Sequence, residues 1–181
     1  MDYSKERALT ILKKYLKKEE NIRHNLEVGA AMHALAEYFN EDVDEWEVTG
    51  LLHDIDLELY EGDINQHTII GGEILKKEGL PEEFIKNIQT HNDATGFKRE
   101  TKLQHCLYSA DGLTGLIHAY VLMRPDKDIQ QASVKSINKK FKDKHFAKGV
   151  SREEIRAVEE TLGIDLKEFI GIVLKGMQKF I

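Results

Sequence analysis

Apolar residues recur every three or four positions along almost the whole chain, and no stretch alternates apolar and polar residues between hairpin signals. That pattern admits an all-α bundle and leaves no place for a sheet. Ser4 predicts the cap of a first helix carrying Leu9, Leu12, Tyr15 and Leu16. A second helix runs from about Glu20 to Tyr38, with His24, Val28, Ala31, Leu35 and Tyr38 on its buried stripe. Asp44 with Glu47 reads as a capping box that opens a third helix, Trp46 to Leu59. The segment QHTIIGGEILKKEGL predicts another helix stopped by Gly79, and Pro81 then opens PEEFIKNIQTHN. A longer helix covers about Thr101 to Leu122 and stops at Arg124–Pro125. Ser151 with Glu154, and Asp165 with Glu168, cap two C-terminal helices.

At 181 residues and 41% hydrophobic content, the expectation is one domain, 1–181, with a real core. Its functional part is expected at about 20–125, followed by a Lys-rich and C-terminal helical segment at 126–181. A single Cys106 cannot pair internally and reads as a small buried hydrophobe. The opening residues hold no signal-peptide core, and no apolar run reaches the roughly 18–20 residues needed to span a bilayer. A cytoplasmic setting without membrane contact is therefore expected. A net charge of −6 argues against a general nucleic-acid binder. Charge is nevertheless polarised: residues 37–63 hold eleven acidic side chains and no Lys or Arg, whereas residues 133–148 hold six Lys and one Asp.

The chemistry lies in a dispersed set of histidines and aspartates. His53-Asp54 follows Leu51 and Leu52 in a helix that must bury one face. An imidazole and a carboxylate beside such a stripe need partners, since an unpaired buried charge costs several kcal/mol. A divalent metal is one such partner; an Arg or a hydrogen-bonded network is another. His24 sits on the apolar stripe of its own helix, His67 opens a helix, His91 ends one, and Asp111 interrupts the run CLYSADGLTGL. A helical bundle converges ligands on its core from such separate elements. Four imidazoles and two carboxylates, with no thiolate, suit one or two divalent ions among Fe, Mn, Ni, Co and Zn. Two ions are served if one carboxylate bridges, and Asp54 is the candidate, because its neighbour His53 points about 100° away around the helix.

This series resembles the HD superfamily of metal-dependent phosphohydrolases, helical domains named for that dipeptide, in the manner of their small stand-alone bacterial and archaeal members. The motifs that carry it are RHNLEV with His24, LLHDID with His53 and Asp54, HTIIGGEIL with His67, IQTHND with His91 and YSADGL with Asp111. The resemblance implies a helical bundle with the metal site in its core and the C-terminal helices packed against it. It implies His24, His53, Asp54 and Asp111 as ligands of a first metal, and His67 and His91 as the additional ligands of two-metal members. The implied reaction is hydrolysis of a phosphoester, a nucleotide or small phosphorylated metabolite, by a metal-bridged hydroxide formed at neutral pH. Two departures stand out: Asp56 occupies the position where many relatives carry glycine, and THNDATGF lacks the signature of the cyclic-dinucleotide phosphodiesterases.

Next to His91, Asn92 and Asp93 are expected to orient substrate or pass a proton, alongside Asp54 and His91 as catalytic groups. Arg23, Arg124, Lys135 and Lys139 are candidate phosphate contacts, guanidinium binding such groups bidentately; Lys142 extends the lysine pair at near-helical spacing. A solvated helix face explains the lysines equally well. Trp46, Tyr38, Phe39 and Phe84 read as core. His33, His105, His118 and His145 fit no ligand series. A di-iron oxygenase built on the same ligands, and a non-catalytic metal-containing binding domain, are the competing functions.

Overall fold

The computed structural model describes residues 3–180, and its described residues are helical, with no strand. The helices are α1 (Lys5–Tyr15), α2 (Glu19–Phe39), α3 (Val43–Leu52), α4 (Ile69–Lys77), α5 (Glu82–Gln89), α6 (Lys102–Met123), α7 (Val134–Lys142), α8 (Arg152–Thr161) and α9 (Leu166–Phe180). Single 3-10 turns follow α5 and α6 at Asp93–Thr95 and Ile129–Gln131. No helix among the described residues is long and apolar enough to cross a membrane.

The helix ends follow local chemistry. Ser4, Thr101, Ser133 and Ser151 each accept a backbone N–H from the first turn of the helix they precede. Asp165 does the same for Lys167 at the start of α9. Gly79, at φ 78°, stops α4 as expected, with Leu80 N–H reaching back to the Leu75 carbonyl.

Three expectations are corrected. Asp42, not Asp44, caps α3, accepting the Glu45 N–H. The helix then ends at Leu52, and short i to i+3 bonds carry the chain through residues 53–60. Asp54, Asp56 and Glu58 would load the negative end of a longer helix with like charge; turns instead send the first two inward. Tyr38 lies outside the core, 46% exposed, with its hydroxyl donating to Glu168 of α9.

Two apolar clusters organise the bundle. One joins α2 and α6 to the C-terminal helices through residues such as Leu35, Leu107, Leu113, Phe169 and Val173. The other joins α1, α3, α4 and α5 through Leu12, Leu51, Leu75, Phe84 and Ile88. Helices α2 and α3 cross in backbone contact at Gly29 and Gly50. A Cβ on Gly50 would stand 2.8 Å from both the Gly29 Cα and the Val28 carbonyl oxygen. That closeness brings His24, one and a half turns before Gly29, toward His53, three residues after Gly50.

Candidate metal centre

Five separate stretches bring side chains to one point. His24 projects from α2, His53 and Asp54 from the end of α3, His67 from the segment before α4, His91 from just past α5, and Asp111 from mid-α6. His24 Nε2 lies 3.0 Å from Asp111 Oδ1 and 3.6 Å from Asp54 Oδ2. The other oxygen of Asp54 lies 3.3 Å from both His67 Nε2 and His91 Nε2, and 3.6 Å from His53 Nε2. Two overlapping triads, His24/His53/Asp111 and His53/Asp54/His91, each hold their ligand atoms within 4.8 Å of one another. His53 forms the buried floor, while His24 and Asp111 face the open side.

The imidazoles are prepared as ligands. His53 Nδ1 donates to the Gly50 carbonyl at 2.8 Å, and His91 Nδ1 to the Ile88 carbonyl at 2.7 Å. His67 Nδ1 donates to Asp56 Oδ1 at 2.9 Å. In each neutral ring the proton is therefore on Nδ1 and the Nε2 lone pair points at the cluster, the arrangement metal-ligating histidines use. Two consequences test the fit. His53 Nε2 is buried with no hydrogen-bond partner. The Nε2 atoms of His67 and His91 stand 3.1 Å apart, where two lone pairs repel unless a cation or proton draws them together. Both observations suit a divalent ion held by nitrogen and oxygen donors.

The electrostatics agree. Burial alone would depress the His24 imidazolium, yet Asp111, with help from Asp54, raises its pKa to about 9. Burial would likewise raise Asp54, but the surrounding imidazoles, His53 foremost, hold it well below the usual carboxylate range. Asp111 is held low against burial by His24 and His53. Carboxylates stay ionised and attract positive charge into the cluster.

The neighbouring candidates are dispersed. Asn92 is a tie: its amide donates to the carbonyls of Ile64 and His67, at 2.7 and 2.9 Å, and its oxygen accepts the Ala94 N–H. Asp93 accepts from Arg99 at 2.8 Å and from the Tyr108 hydroxyl at 2.7 Å. Arg23 is exposed on α2 beside His24. Arg124 pairs with Asp126 at 2.6 Å and with the Tyr120 hydroxyl. Lys135 and Lys139 line a groove on α7 with Lys142, Ser133, Ser136 and Asn138, none of which belongs to the His/Asp cluster.

Three residues near the site carried no sequence signal of a role: Arg99, Tyr108 and Asp56. Arg99 lies flat on the Tyr108 ring, 3.6 Å from its centroid, and Tyr108 is three residues before Asp111 on α6, hence on the same face. Asp56, noted only as a departure, is fully buried and bonded to His67.

A family model described as HD domain matches residues 21–116, just over half of the chain. Among curated proteins and solved structures, none matches the chain. HD domains bind divalent metals, and most are hydrolases. The matched span runs from just before His24 to just beyond Asp111, so it takes in every member of the cluster. The chain belongs to the HD-domain family.

Proposed function

We propose that this protein is a metal-dependent phosphohydrolase whose substrate is a nucleotide or a small phosphorylated metabolite. The observation that carries the reading is the convergence of four imidazole Nε2 atoms on the Asp54 and Asp111 carboxylates, with three of the rings held in the ligating tautomer from behind. His24, His53, Asp54 and Asp111 would hold one divalent cation, and Asp54, His67 and His91 a second. Bound there, cations supply acidified water at neutral pH and draw charge off phosphoryl oxygens.

The chain's own groups do the rest. Asp54 is the shared carboxylate, since its two oxygens face different imidazoles. His24 and Asp111, on the open side, border the space a phosphoryl group would enter. Asp93 and Tyr108 hold the Arg99 guanidinium at the rim, where it offers a planar donor to phosphate; Arg23, exposed beside His24, offers a second. Asn92 acts through His67 by fixing the segment that carries it.

The test is elemental analysis of protein purified without added metal. A panel of nucleotides and phosphomonoesters at neutral pH follows, in air and without oxygen. Metal-dependent phosphate release that survives anaerobiosis, and is lost together with metal binding in Asp54→Ala, is expected. Turnover that requires dioxygen would replace this reading with the oxygenase one. A metal-replete protein that releases phosphate from nothing in the panel would favour a binding domain.

A further inference from the structure

Among the described residues no Lys or Arg pairs with Asp56, which is nevertheless fully buried. Its carboxylate is satisfied by three donors on one side of the metal cluster. Oδ1 accepts the Nδ1 proton of His67 at 2.9 Å, while Oδ2 accepts the N–H of Thr68 at 2.7 Å and of Gly71 at 2.8 Å. One oxygen thus fixes a ligand and the other closes the N-terminus of α4, which has no side-chain cap of its own. The surroundings are shaped for it. A Cβ on Gly71 would lie 3.2 Å from Oδ2, so glycine there leaves room for the carboxylate. Thr68, a β-branched residue, sits at φ 66°, a strained backbone that persists where surrounding contacts over-determine it.

We propose that Asp56 is the positioning residue of the second cation subsite, locking His67 as its Nδ1–H tautomer so that residue 56 decides whether the chain holds two cations or one. The proposal rests on reading the cluster as a metal centre and is independent of the reaction performed there. The logic is that of an outer carboxylate behind a metal-bound imidazole, which removes one tautomer and raises ligand basicity. His53 and His91 are oriented by backbone carbonyls, which substitution cannot remove. His67 alone among these three depends on a side chain, so its orientation is the one that a single replacement behind the ligand can undo.

Asp56→Asn makes the distinction. Its carbonyl oxygen can still accept from Thr68 and Gly71, keeping the α4 cap. Its amide would then donate to His67 Nδ1 and force the proton onto Nε2, the atom that must ligate. Titration with Mn or Co, followed by elemental analysis of the desalted protein, is expected to give two equivalents for the parent. Asp56→Asn and His67→Ala should each give one, with second-site affinity lowered about 10- to 100-fold. The double variant should lose nothing further. Long-range nitrogen–proton NMR on metal-free protein should show His67 protonated at Nδ1 in the parent and at Nε2 in Asp56→Asn. A merely structural role would lower the thermal midpoint without moving that proton. If Asp56→Asn does not fold, the parent spectrum and His67→Ala still decide. The proposal is overturned by a parent His67 protonated at Nε2, by a parent that takes up one equivalent, or by a folded Asp56→Asn that retains two. Absence of phosphate release, with two cations bound and the tautomer switched, would overturn the hydrolase reading and leave this one intact.

Discussion

The Nε2 atoms of His67 and His91 face each other at 3.1 Å, although Nδ1 hydrogen bonds to Asp56 and to the Ile88 carbonyl leave neither neutral ring an Nε2 proton to share. Removing a bound cation should therefore destabilise the fold as well as silence it. Saturation at about a hundred times Kd adds ~2.7 kcal/mol, and in a chain of this size that is about 5–10 °C in Tm. Thermal melts with and without chelator measure it. Identical melts from a protein that purifies free of metal would remove the basis for a metal centre.

Cation uptake should expel a proton. With its pKa raised to about 9 from 6.5, metal-free His24 is charged at neutral pH. Its pairing with Asp111 stabilises the metal-free fold fully below about pH 6.5 and is lost as pH climbs through 9. Cations compete for the same nitrogen, so their apparent affinity should rise with pH up to about 9 and then level. Calorimetry at pH 7 in buffers of different ionisation enthalpy should count about one proton released by His24 for the single cation that it ligates. A count of zero would place His24 outside the ligand set.

Gly50→Ala should be severe for so small a change. The new methyl would meet backbone atoms of Val28 and Gly29 at 2.8 Å, and neither can rotate away. Overpacking of this kind costs about 1–3 kcal/mol, seen as a Tm lowered by about 2–12 °C. Metal affinity should fall with it, because the same crossing brings His24 toward His53. A variant with unchanged Tm and metal content would show that the crossing is slack.

Glu58 should matter above pH 4.5 and cease to matter in acid. The Lys18 N–H, with the Lys17 N–H and the Asn21 amide, holds its carboxyl below the ordinary 4.5 despite slight desolvation, and so ties the chain entering α2 to the 53–60 stretch. A depressed folded value contributes stability above the unfolded pKa and loses it as pH falls through the folded one. Glu58→Ala should cost ~0.5–1 kcal/mol at pH 7, a loss that shrinks toward pH 3 as the carboxyl takes up its proton. Parallel melts at the two pH values give the comparison; an equal deficit at both would mean that packing, not charge, is lost.

Cys106 should be inert in the native state. It is fully buried between α6 neighbours, and burial pushes its thiol well above the ordinary range. Alkylation at pH 8 should be negligible until denaturant is added, then complete. Rapid native labelling would show that α6 opens locally.

The residues that converge were legible because each carries its chemistry in its own side chain and sits in a readable helical register. His24 falls on the α2 stripe, and Asp111 breaks an otherwise apolar face of α6. What stayed hidden depends on irregular backbone. Asp56 finds Thr68 and Gly71 only because residues 53–68 wind back through turns and a left-handed Thr68 that no periodicity announces. Asn92 reaches Ile64 and His67 across the same loop. The third helix looked longer than it is because Leu51, Ile55 and Leu59 keep an i, i+4 apolar rhythm after the backbone has left the helix. Tyr38 extended the α2 stripe by one residue too many, since at that point the helix looks outward past α9.

The converging side chains are borrowed from both apolar clusters: α2 and α6 belong to one, and the ends of α3, α4 and α5 to the other. An ion seated among them would act as a clasp, shortening the chain loops between positions 24, 53, 67, 91 and 111 and so reducing the entropy gained when the two halves part. Neither half could then melt alone without discarding its grip on the ion, and the loaded molecule would come apart as one unit.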